Sequence, residues 1–92
     1  MEITVKILRI KDTQEVGQNN FKVRNVHVDT EEQHTQRLEI QFQKETTAVL
    51  DSFKPGDRAK IKLNLRGREV NKEGKEPAVY NTIVGWQIEK LA

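Results

Sequence analysis

Lys60, Lys62, Arg66 and Arg68 repeat at even positions of one short segment, with Asn64 in the gap, and such a row is suited to binding phosphates. Successive side chains of a β-strand point to opposite faces, so these residues share one face while Ala59, Ile61, Leu63 and Leu65 share the other. The apolar face builds a core. The other presents ammonium and guanidinium groups at a spacing comparable to that of phosphates along an extended nucleic-acid strand. A competing reading is a solvated strand whose lysines guard an edge against aggregation. Lys22 and Arg24 on an earlier strand, and Lys72 and Lys75 in a later loop, are the further phosphate partners.

Single-strand binding also needs rings on which bases stack, each worth about 1 to 3 kcal/mol. By strand phase Phe42 and Phe53 belong to the core. Phe21, Tyr80 and Trp86 are the stacking candidates, the first two because they flank loops after the first and fourth strands, where small β-barrels bind ligands. Core packing stays open for all three, since a short chain has few large residues to spare for its surface. Trp86 leans towards the core or a subunit interface.

Catalysis is hard to assemble from this sequence. It has no cysteine, and its two histidines, His27 and His34, lack a serine or carboxylate pair placed around them. Glu31, Glu32 and His34 lie in one polar loop, which reads as hydrated rather than as a metal site. Gly17 stands alone in its loop, so no glycine-rich phosphate cradle exists, and Gly67 and Gly85 read as room for bends. The expectation is a non-catalytic protein without metal or cofactor.

The elements that must position these residues follow from periodicity. Ile3, Val5 and Ile7 alternate and then resume out of phase at Leu8 and Ile10, which predicts a bulge in the first strand. Asp12 to Asn20 reads as a loop, and a second strand runs from about Phe21 to Val28, again with a phase shift between Val23 and Val26. After the turn-like Asp29 to Thr35, Leu38, Ile40 and Phe42 point inward from a third strand. Good helix formers around Ala48 to Leu50 predict a helix of two or three turns at about residues 44 to 51. Pro55 and Gly56 then set a turn, the basic strand follows, and a hairpin loop over residues 71 to 78 leads into the last strand, Val79 to Lys90. Five bent antiparallel strands with a helix between the third and fourth are the order of a five-stranded OB-fold barrel, with a small sandwich or SH3-like barrel as the alternatives.

Charge supports a one-sided polyanion surface. The chain of 92 residues is 33% charged with a net charge of only +2, yet residues 54 to 75 carry +5 and residues 29 to 51 carry −4. A dipolar solvated surface gives the same pattern, so polarity alone does not decide. The 35% hydrophobic content supports a single domain over 1–92. With no apolar run long enough to cross a bilayer and no leader pattern, the expected compartment is the cytoplasm.

The sequence resembles bacterial single-stranded-DNA-binding proteins of the OB-fold type, and more closely their small relatives. The resemblance is carried by Ala48, Leu50 and Phe53 leading into Lys54-Pro55-Gly56-Asp57, by the strand Arg58 to Arg68 with Gly67 near its end, and by Tyr80 to Glu89. It implies an OB-fold that binds single-stranded DNA or RNA, service in DNA replication or repair, and assembly into a homodimer or tetramer. The chain stops at Leu91-Ala92, so the acidic tail by which the family recruits partners is not expected. The loop between the second and third strands is short and acidic, so it is not the expected main grip on DNA. The resulting expectation is non-catalytic, weakly sequence-selective binding of single strands along strand four and its flanking loops. The alternative is a protein-interaction module or accessory subunit of a replication or recombination complex.

Overall fold

Where apolar residues alternate, strands form, and a computed structural model describes them over Met1–Ala92. The order is β1 (Glu2–Ile10), β2 (Gln14–Val16), β3 (Phe21–Thr30), β4 (Arg37–Gln43), α1 (Thr46–Val49) with a 3₁₀ turn over Leu50–Ser52, β5 (Arg58–Val70) and β6 (Ala78–Leu91). The sheet closes on itself. β1 pairs with β5 on one side and β3 on the other, β5 pairs with β6, and β4 joins β6 in parallel through Ile40–Ile83 to Phe42–Gly85. All other pairings are antiparallel. Five long strands and one short helix between the third and fourth of them make an OB-fold barrel, as the sequence predicts.

The phase change in β1 is a bulge. Ile7 pairs with Val28 and Arg9 with His27, which leaves Leu8 as the extra residue. The segment expected to be loop throughout contains β2, whose three residues are all exposed and are held only by the ladder to Phe21–Val23. Its polar sequence carries no strand periodicity, which is why it was not legible.

Val5, Ile7, Val26, Val28, Ile40, Phe42, Leu50, Ala59, Ile61 and Leu63 form one buried core, with Ile3, Leu38, Phe53 and Ile83 packed against it. Leu65 is a correction. It has the inward phase expected of it but is 67% exposed. β1 releases β5 at Lys62, and β4 releases β6 below Ile83. Residues 66 to 70 and 78 to 82 therefore pair only with each other and leave the barrel as a two-stranded arm.

The helix is shorter than the expected span, one α-turn plus the 3₁₀ turn, because β-branched Thr46 and Thr47 are poor helix formers that bond locally instead. Thr46 Oγ1 donates to the Gln43 carbonyl at 2.5 Å and Thr47 Oγ1 to the Lys44 carbonyl at 2.7 Å. Leu50 nevertheless plugs this end of the barrel. The following turn has Gly56 at φ +96°, with the Asp57 carboxylate accepting the Lys54 N–H at 3.0 Å. That bond holds the Asp57 carboxyl below its usual range, and the Lys90 ammonium at 3.4 Å adds to it.

Candidate nucleic-acid interface

The outer face of the sheet can be read rung by rung from the register. Asn25 stands beside Gln41, Gln41 beside Val84, and Val84 beside Asn64, so one row crosses β3, β4, β6 and β5. Towards the arm, the next rungs on β5 and β6 pair Arg66 with Thr82 and Arg68 with Tyr80. In the other direction lie Gln43 on β4 and Lys62 paired with Gln87. From Lys62 to Arg68 on β5, and from Tyr80 to Gln87 on β6, this face contains no carboxylate.

Trp86 joins the face through a bulge. Lys62 pairs with Gln87 but Leu63 with Gly85, so Trp86 is the residue left over, and the extra residue turns its ring outward. The indole is 49% exposed and the Lys62 ammonium stands 5.6 Å from its centroid. Tyr80 is 56% exposed, and with Arg66, Gly67, Arg68 and Thr82 it lines an open concavity of about 250 Å³. Lys62, Arg66 and Arg68 have no carboxylate within ion-pair distance.

The remaining expected residues divide. Lys60 lies at the far end of the stripe, opposite Glu89 in register, and its ammonium pairs with Glu2 at 3.9 Å. Lys72 and Lys75 sit at the arm's tip among Glu73 and Glu76, where the charges balance. Phe21 and Lys22 form a separate cluster at the opposite end of β3. There the Lys44 ammonium stands 5.8 Å from the Phe21 ring above an open cleft of about 590 Å³ that Asn19, Asn20 and Ala48 also line. Lys44 escaped the sequence reading because it belongs to the predicted helix, whereas it is a turn residue at φ +55°.

Arg24 is bonded within the fold. It occupies an inward-phase position opposite Phe42, and its side chain is only 15% exposed. Its guanidinium donates to the Lys11 carbonyl at 2.7 Å, to the Thr47 carbonyl at 3.1 Å and to Asp51 at 2.7 Å. Nε and Nη1 are thereby engaged. It ties the helix and the loop after β1 to the barrel. The phase shift between Val23 and Val26 was the signal that this position turns inward.

Across the outer face from the basic arm the charges are locked in pairs. His27 bonds Arg9 at Nδ1 and Glu39 at Nε2, both at 2.6 Å. Asp29 binds Arg37, and Glu31 makes two 2.7 Å bonds to Arg58. Those guanidinium bonds hold the Asp29 and Glu31 carboxyls below their usual range. Asp29, Glu31 and Asp51 are thereby paired with guanidinium groups, whereas Lys62, Arg66 and Arg68 on the arm side have no carboxylate partner.

No group of three or more His, Asp or Glu side chains is placed to hold a metal ion, and no helix is long and apolar enough to cross a membrane. The model of a family described as a domain of unknown function, DUF3127, matches residues 2–89. The chain belongs to the DUF3127 family. No curated protein matches the sequence. Among solved structures, this DUF3127 chain is similar to the mitochondrial single-stranded DNA-binding protein of S. cerevisiae, with TM-score 0.72 and 14% identity over 99% of this chain and 92% of that one. It is also similar to a Plasmodium falciparum SSB in complex with single-stranded DNA, with TM-score 0.69 and 14% identity over 100% of this chain and 93% of that one. At such identities the likeness establishes a shared OB-fold for DUF3127.

Proposed function

We propose that this protein binds single-stranded nucleic acid, DNA in the first instance, without catalysis and with weak sequence preference. The observation that carries the reading is the carboxylate-free face on which Lys62, Arg66 and Arg68 alternate with the exposed rings of Tyr80 and Trp86. Phosphates neutralised by the cations supply affinity, and bases stacked on the rings supply the preference for single strands. The Phe21, Lys22 and Lys44 cleft extends the track at the other end of the sheet. The shared fold with two single-stranded-DNA-binding proteins supports this reading.

Fluorescence anisotropy with a labelled oligothymidine tests it. If about four phosphates are neutralised, the slope of log affinity against log salt is near −3 for a single strand. Replacing Lys62, Arg66 and Arg68 together with alanine should weaken binding to every sequence and make the slope shallower by about 2. Wild-type affinity in that triple variant overturns the proposed site.

The other face of the arm favours a second reading. Leu65 and Val79 are 67% and 65% exposed there, with partly buried Ile83 between them and the barrel. Such a strip suits a second copy of this chain or another protein. A chain that binds no oligothymidine at low salt is an interaction module instead.

A further inference from the structure

We propose that the uncharged centre of the outer face reads base edges, with Gln41, Gln43 and Asn64 as the residues that set base preference. The inference rests on the single-strand-binding reading and adds a role that its cations cannot perform, because contacts to phosphates carry no base information. In a chain that is 33% charged, Asn25, Gln41, Gln43, Asn64, Thr82 and Val84 are contiguous on this face, and none bears a charge. A surface built only to hold a polyanion gains from lysine or arginine at each of these places. Amides add no such attraction. Each brings a hydrogen-bond donor and an acceptor in one plane, which base edges also present.

The amides are already oriented. Gln43 Nε2 donates to Gln41 Oε1 at 2.8 Å, which leaves the Gln41 amino group as a free donor and the Gln43 carbonyl oxygen as a free acceptor. That arrangement complements a base edge with an acceptor beside a donor. Val84, on the outer face between Gln41 and Asn64, is only 7% exposed, so neighbouring side chains close over it and give the row an apolar floor. Towards the arm stand Arg66 and Tyr80, and on the other side Lys62 and Trp86, so a base stacked at either end brings its neighbour over the amide row. The ligand is therefore a single strand whose bases face the sheet and whose phosphates lie along the cations.

The test compares labelled homopolymers of adenine, cytosine and thymine of equal length, and an abasic strand, against wild type and the Gln41→Ala/Asn64→Ala variant. Wild type should separate its best and worst homopolymer by at least about five-fold, as expected for one good amide–base contact. In the variant the homopolymers should fall within about two-fold of each other while the salt slope stays unchanged. Thermal unfolding of the single variant Asn64→Ala, at an exposed position, guards against a folding defect and should show part of the same convergence. Wild-type ratios retained in both variants, or no separation in wild type, overturn the base-reading role while leaving single-strand binding intact. Failure of wild type to bind any of the four strands overturns the reading beneath it as well.

Discussion

A Cβ built on Gly85 would lie 2.6 Å from Cζ of Phe42, closer than real Cβ contacts come. The two residues are partners in the parallel rung that closes the barrel, and Phe42 is fully buried. The ring occupies the space a side chain would need, and Ile40 stands 3.1 Å from the same point. Gly85→Ala should therefore force β4 and β6 apart or tilt Phe42 against the core, at about 1 to 3 kcal/mol, the usual range for overpacking. Chemical denaturation of the variant checks it, and stability equal to wild type would mean that the closure yields freely.

Tyr80 stands on the arm, outside the core, and its ring is more than half exposed. Tyr80→Ala should leave the unfolding temperature nearly unchanged and cost about 1 to 3 kcal/mol of oligothymidine binding if a base stacks there. A large fall in unfolding temperature with unchanged affinity per folded molecule would remove Tyr80 from the site.

Arg24→Ala should show the opposite signature. Removing the guanidinium leaves the part-buried Thr47 carbonyl without its donor, and a deprived buried acceptor costs about 1 to 3 kcal/mol, whereas the exposed Lys11 carbonyl can turn to water. The partner Asp51 is exposed, so its charge adds little to that. Denaturation should detect the loss, while single-strand affinity measured on the folded protein stays at the wild-type level.

Stability should hold above about pH 5 and decline as acid protonates the paired carboxylates. Asp57, held low first by the Lys54 N–H and then by Lys90, together with Asp29 and Glu31, has its folded-state pKa below the unfolded value. Groups depressed in this way add stability above the unfolded pKa, near about 4 for carboxylates, and that stability is lost as pH falls through the folded one. Asp57→Asn keeps an acceptor for Lys54 but no titrating charge, so its acid limb should be shallower in a pH series of thermal melts. An acid limb as steep as that of wild type would show that Asp57 contributes little.

Alternation made much of this legible. Ala59, Ile61 and Leu63 were identifiable as core and Lys62, Arg66 and Arg68 as surface from period two alone, because a barrel wall has one dry side along its length. What alternation does not encode is where the wall ends. Leu65 keeps the inward phase, but β1 has already left β5, and nothing at Leu65 records the loss of a neighbour in space. The bulge that turns Trp86 outward escaped notice for a related reason: a bulge is a mismatch between two strands, and neither sequence contains it alone. Arg24 was read for its charge, whereas its phase carried the inward turn of its side chain. The amide row became visible only once four strands from distant parts of the chain lay side by side.

The free arm has a consequence for motion. Inside the barrel each backbone amide of β5 and β6 is released only when neighbouring strands part. Beyond Leu65 on β5 and Ile83 on β6 the only restraint is the hairpin's own ladder, and an isolated two-stranded hairpin is marginal in water. Amide hydrogen exchange should thus fall into two tiers along the same two strands, slow around Ile61 and Ile88 and fast from Arg66 to Val70 and from Ala78 to Thr82. Tyr80, Arg66 and Arg68 ride on the fast tier and Lys62 on the slow one. A strand lying across this boundary would slow exchange on the arm alone, and the chain-ordering entropy of binding would be confined to those few residues.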